Sequence, residues 1–109
     1  MTFAILCTFR PGGPAGTKAL RGKHYEFLLA QMGRIVEGGP LVGLDGIPTA
    51  MLMVVEAESV EEAREFIAGE PYTHAGLFDS VMVRQWRHVL PEAEPGAVAA
   101  ELARERAGH

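Results

Sequence analysis

Two stretches of this chain are apolar on both sides of a strand, and that restricts the folds open to it. Side chains along a strand alternate between faces. In "TAMLMVVEA" (49–57), Met51, Met53 and Val55 fall on one face and Ala50, Leu52 and Val54 on the other. In "TFAILCTFR" (2–10), Phe3, Ile5, Cys7 and Phe9 point one way, and Ala4 and Leu6 the other. A sheet built on such strands needs cover on both faces. The chain has 109 residues, one domain's worth, with few elements to supply that cover.

The remaining segments set the order of elements. "PGGPAG" (11–16) is a breaker cluster, and Thr17 is positioned to cap a helix running to about Gly33. Gly22 inside that helix costs about 1 kcal/mol relative to alanine, which a close backbone approach would explain. "RIVEGGPLVG" (34–43) reads as a strand interrupted at Gly38-Gly39-Pro40, with the proline pointing to an edge strand or a bulge. Asp45-Gly46 marks the turn of a hairpin, and 49–57 is its second strand. Ser59 and Glu62 form an S-x-x-E capping box. The helix it opens carries Val60, Ala63, Phe66 and Ile67 as its stripe and Gly69 as its C-cap. "EPYTHAGLFD" (70–79) is a structured loop with one helical turn. "SVMVRQWRHVL" (80–90) is the last strand, "PEAEPG" (91–96) a linker, and "AVAAELARERA" (97–107) a short helix.

This order, β-α-β-β-α-β over 1–90 with a tail at 91–109, is the ferredoxin-like α+β pattern. Right-handed crossovers put both helices on one face of a four-stranded antiparallel sheet. The other face is then a large apolar patch, which monomers rarely leave in water. A second copy of the chain is the expected cover, giving a homodimer with its sheets face to face. The C-terminal helix could fold under the sheet instead, but it offers only Val98 and Leu102 as sizeable apolar groups.

Several classes of function are disfavoured. The net charge is −4 and no run of basic residues exists, so the footprint of a nucleic-acid binder is missing. No apolar run approaches the length of a membrane span. Cys7 is the single cysteine, so no intrachain disulfide forms. "MTFAILCTF" makes a poor signal peptide, and a reducing, cytoplasmic setting is expected. Cys7, His88 and His109 have no metal-ligand spacing, and "GGPLVGLDG" lacks the ending and context of a phosphate loop.

The first helix raises the functional question. On a wheel, Ala19, Leu20, Phe27, Leu28, Ala30 and Met32 share a broad apolar arc, and Lys23, Tyr25 and Glu26 fall outside it. His24 and Gln31 lie near the middle of the arc. A histidine there is either a core residue bonded to a backbone carbonyl or a ring turned into a site, and the wheel leaves both open.

Five pieces in order resemble the YCII-related (YciI-like) family of small dimeric α+β barrels. They are "RGKHYEFL", "GRIVEGGPL", "SVEEAREF", "EPYTHAGL" and "VMVRQW", together covering about residues 2–90. The resemblance implies an active-site dyad of His24 with the acidic residue before the Pro-aromatic pair, here Glu70 where the family pattern has aspartate. It implies a class of chemistry and no particular substrate: relatives resemble lactone isomerases in fold, and one is a dehydrochlorinase of a chlorinated hydroxyquinol.

In this topology both helices are expected to run the same way along the sheet, which puts His24 about 10 Å down the first and Glu70 about 16 Å down the second, a difference side chains can close. Pro71 favours an extended Glu70. A carboxylate beside an imidazole favours the charged form of each, and burial opposes that.

Around this pair, Arg21 is positioned to hold an anion or to be a solvated surface residue. Tyr72 could supply a hydroxyl or simply pack. Gly39 and Pro40 could let a ligand approach the strand backbone or mark a plain bulge. His74 could compete with His24 for Glu70, and Trp86 reads as core or interface.

The leading expectation is a cofactor-free enzyme, without a metal, that isomerises or eliminates from a small anionic or hydroxyaromatic molecule. The alternatives are a non-catalytic small-molecule binding module and a cofactor-independent monooxygenase.

Overall fold

A computed structural model describes residues 1–108. The strands are β1 (Thr2–Phe9), β2 (Ile35–Val42), β3 (Pro48–Glu56) and β4 (Phe78–Trp86). The helices are α1 (Thr17–Ala30), α2 (Val60–Ala68), the single turn α3 (Pro71–His74) and α4 (Ala97–Arg106). The strands form one sheet in the order β2-β3-β1-β4, with every neighbouring pair antiparallel. This is the ferredoxin-like α+β arrangement, with the expected C-terminal helix.

One core joins the sheet to both helices. Phe3, Ile5 and Cys7 of β1 and Met51, Met53 and Val55 of β3 pack with Ala63, Phe66 and Ile67 of α2, and Leu20, Phe27 and Leu28 of α1 lie against this cluster. The core strand residues are one of the two apolar sets in each strand, as alternation requires. The other set faces away from the helices. Along it, Trp86 and Met82 of β4 are 38% and 42% exposed. No residue from Ala97 to Arg106 is buried, so α4 adds nothing to the core.

The strand pairing corrects the direction of the helices. Because β1 and β3 are antiparallel, the helices that return from them run oppositely. The N-terminal part of α1 therefore lies at the same end of the sheet as the C-terminal end of α2. Glu70 meets His24 for that reason, not because two parallel helices match in height.

Local signals also resolve differently in places. Thr17 is the first residue of α1 and its hydroxyl donates to the Pro14 carbonyl at 2.8 Å, while Gly16 occupies the cap position. A Cβ at Gly22 would meet nothing within 4 Å, so no backbone approaches it. Ser59 caps α2 by accepting from Glu62 N–H at 3.1 Å. The Glu62 carboxylate reaches back to Glu58 N–H at 3.2 Å, one residue earlier than a capping box places it. Strand β2 is continuous through Gly38-Gly39-Pro40, and its register irregularities flank that run. It is an edge strand, which tolerates a proline that donates no hydrogen bond. Strand β4 begins at Phe78 and ends at Trp86, so Arg87–Leu90 lie outside it.

Candidate active site

Helix α1 presents to the sheet a mixed face, not a wholly apolar one. Thr17, Arg21, His24, Tyr25 and Leu28, at i, i+4, i+7, i+8 and i+11, line a cleft of about 580 Å³ between α1 and the β2–β3 half of the sheet. That spacing is one side of a helix. Ala19, Ala30 and Met32 are exposed, and His24 is the buried residue of α1 at 8% exposure.

Glu70 is positioned by local sequence. Pro71 cannot accept a helical residue before it without a clash, and Glu70 is extended at φ −72°, ψ 131°. It caps α3: its Oε2 accepts from Thr73 N–H at 3.0 Å and from the Thr73 hydroxyl at 3.2 Å. The second carboxylate oxygen, Oε1, lies 2.5 Å from His24 Nδ1. Glu70 is fully buried, so this carboxylate is held on both oxygens and shielded from bulk solvent.

Burial acts most strongly on Glu70 and by itself raises its pKa. The His24 bond, the backbone N–H groups of Thr73 and Tyr72, and the charge of His24 act the other way, and the net direction is down. An ionised carboxylate only accepts hydrogen bonds, so Nδ1 carries the proton in this pair. In a neutral ring Nε2 is then the free base. Among the described residues Nε2 has no bonding partner, and no buried side-chain nitrogen or oxygen is left unpaired, so Nε2 opens onto the cleft.

The ring is fixed from the side as well. Tyr72 stacks on it with centroids 4.1 Å apart and planes at 15°, and Tyr25 lies at 5.7 Å. Burial pushes the Tyr72 phenol up, against the downward pull of the neighbouring Arg21 guanidinium. Beneath the pair, the Cys7 thiol is pushed up to about 12 by burial first and the Glu70 charge second.

The structure brings the sequence-derived residues together. Arg21, His24, Gly39, Pro40 and Tyr72 all line the cleft, and Glu70 backs His24. Gly39 has open space where a side chain would stand. His74 is exposed and takes no part, since the Glu70 carboxylate bonds His24 and Thr73. Sequence patterning does not mark Tyr25 or Thr73 as part of the site. Tyr25 falls outside the apolar arc, although its i+4 spacing from Arg21 puts it on the same side of the helix. Pro71 at the first helical position is the local signal that places Thr73 within the turn Glu70 caps. His109 lies outside the described residues. Among those described, no group of three His, Cys, Asp or Glu is placed to hold a metal, and no helix is long and apolar enough to cross a membrane.

A four-stranded antiparallel sheet of ferredoxin-like topology with a carboxylate-backed histidine at an apolar cleft defines a small α+β class. The YCII-related domain model matches residues 1–87, and the chain belongs to that family. Among solved structures it is similar to the 5-chloro-2-hydroxyhydroquinone dehydrochlorinase TftG of Burkholderia phenoliruptrix AC1100, in complex with 2,5-dihydroxybenzoquinone. The identity is 32% and the TM-score 0.75, over 81% of this chain and 95% of that one. SnoaB, a cofactor-independent oxygenase of Streptomyces nogalater, shares the fold at 21% identity and TM-score 0.51, over 84% and 96%. Rv0793 of Mycobacterium tuberculosis does so at 16% and 0.52, over 86% and 100%. No curated protein sequence matches.

Proposed function

We propose that the cleft is a cofactor-free acid–base site in which His24 Nε2 exchanges protons with a small anionic or hydroxyaromatic molecule. One observation carries this reading: Nδ1 is committed to a buried carboxylate at 2.5 Å while the opposite nitrogen is left for the cleft. The carboxylate holds the ring in one tautomer and stabilises the imidazolium formed when Nε2 takes a proton. Arg21 and Tyr72 hold an anionic oxygen, and Gly39 and Pro40 form part of the opposite wall.

Elimination fits this arrangement. His24 takes a proton from a phenolic oxygen as the electron pair moves into the ring, the chlorinated carbon takes up a proton, and chloride leaves as a second phenolic proton is lost, so that HCl is lost overall and a quinone forms. Isomerisation fits equally if the proton returns to another carbon, as a lactone isomerase requires. The similarity to a dehydrochlorinase supports elimination first. The functional unit is a homodimer through the sheet face that the helices leave open.

The test is chloride release from 5-chloro-2-hydroxyhydroquinone, alongside a panel of lactones assayed for isomerisation, for the wild-type chain and His24→Ala. Turnover that depends on His24 supports the proposal. Full activity in the folded variant overturns it, and a compound bound and returned unchanged by the wild type makes the cleft a binding module.

A further inference from the structure

The strand registers place Glu37, Val54, Ala4 and Arg84 in one row across β2, β3, β1 and β4, and Gly39, Leu52, Leu6 and Met82 in another. These rows lie on the face away from the helices, since none of their residues belongs to the helix-side core. Glu56 shares the face and lies 3.8 Å from the Met1 amino group. That leaves Glu37 and Arg84, opposite charges at opposite edges of an apolar floor.

They cannot reach each other within one chain. Three strand spacings separate them, about 14 Å. Among the described residues the Glu37 carboxylate makes no hydrogen bond or ion pair, and the Arg84 guanidinium turns back to the Val83 carbonyl at 2.9 Å.

A second copy changes this. A two-fold interface is self-complementary, so its axis decides which rows meet. An axis across the strands would set each edge strand over its own copy and bring like charges toward each other. An axis along the strands lays β2 over the partner's β4 and keeps the rows in step. Each Glu37 then faces Arg84 of the partner subunit, while the half-buried Ala4, Leu6 and Leu52 close on one another. Stacked sheets stand about 10 Å apart, a gap that an arginine and a glutamate span together.

We infer that the open faces of two copies pack about an axis parallel to the strands, kept in register by reciprocal Glu37–Arg84 pairs. This rests on the homodimer of the proposed function and adds its geometry. Glu37 also lines the cleft, so the pairing brings a cation of the partner subunit to the rim of each site.

Sedimentation equilibrium of the full chain tests the register. Arg84→Glu and Glu37→Arg each weaken the dimer about tenfold, the double reversal restores it, and salt weakens the wild type. The neutral variants Arg84→Gln and Glu37→Gln replace any reversal whose thermal melt shows that it does not fold, and each then weakens the dimer without rescue by its partner. Single variants that associate as tightly as wild type overturn the register and leave the dimer standing. So does a double reversal no tighter than the weaker single. A wild-type monomer at the highest concentration reached overturns the dimer itself. Turnover measured on the same samples judges the His24 chemistry separately.

Discussion

Glu70 Oε1 and His24 Nδ1 lie 2.5 Å apart although 46 positions separate the residues in the chain. The contact joins the second turn of α1 to the residue that caps α3. It gives the carboxylate two tasks, one on each oxygen. Oε2 holds the backbone of α3 in place, and Oε1 orients the imidazole.

His24→Ala is expected to lower turnover by about 10²- to 10⁴-fold, the usual contribution of a positioned proton-transfer group. It also leaves Oε1 buried without its partner, which costs about 1–3 kcal/mol of stability. Steady-state kinetics and urea melts on one preparation separate the two effects.

Substitutions at Glu70 are expected to rank by charge and reach. Glu70→Asp keeps the charge and the capping role and retains the most activity. Glu70→Gln loses the charge that stabilises the imidazolium. Glu70→Ala loses both tasks and unfolds at the lowest temperature. Equal turnover in Glu70→Gln and wild type would show that the carboxylate charge has no part in the chemistry.

The Glu70 pKa lies below its ordinary value of 4.5, which fixes the sign of a pH effect. The folded chain keeps this carboxylate ionised at a pH where the unfolded chain already binds the proton. The stability it contributes is complete above the ordinary value and is lost as pH falls from there through the lowered folded pKa. The Tm of the wild type should therefore drop more steeply than that of Glu70→Gln as pH falls below the ordinary carboxylate value of 4.5.

Two glycines should respond oppositely to a methyl group. Gly22 is in mid-helix with open space around it, so Gly22→Ala raises stability by about 0.5–1 kcal/mol. A Cβ at Gly13 would stand 2.4 Å from the Leu77 carbonyl oxygen, so Gly13→Ala destabilises. Chemical denaturation of both variants checks the pair.

Cys7 is buried with its thiol pushed up to about 12. Thiol reagents attack the thiolate, so labelling near pH 8 should be slow in the native chain and rapid once urea unfolds it. Fast labelling of the native protein would show that the core beneath Glu70 opens.

What the sequence determined by itself is what neighbouring residues decide among themselves. Period-two alternation in 2–10 and 49–57 specifies strands apolar on both sides. Ser59 with Glu62, and Glu70 with Pro71, mark helix starts through bonds and clashes a few positions long. The topology follows from the order of these elements, and the histidine stands out because it breaks the apolar arc of α1.

Tertiary structure alone decided the rest. The antiparallel pairing of β1 with β3 reverses the helices and brings α3 beside the second turn of α1. The gap between α1 and the β2–β3 strands turns a helix side that includes Arg21 and Tyr25 into the wall of a cleft, while Ala19 and Met32, apolar in the sequence, stay in solvent. Which nitrogen of His24 meets Glu70, and which is left for a ligand, depends on contacts between distant segments, and no local pattern encodes those.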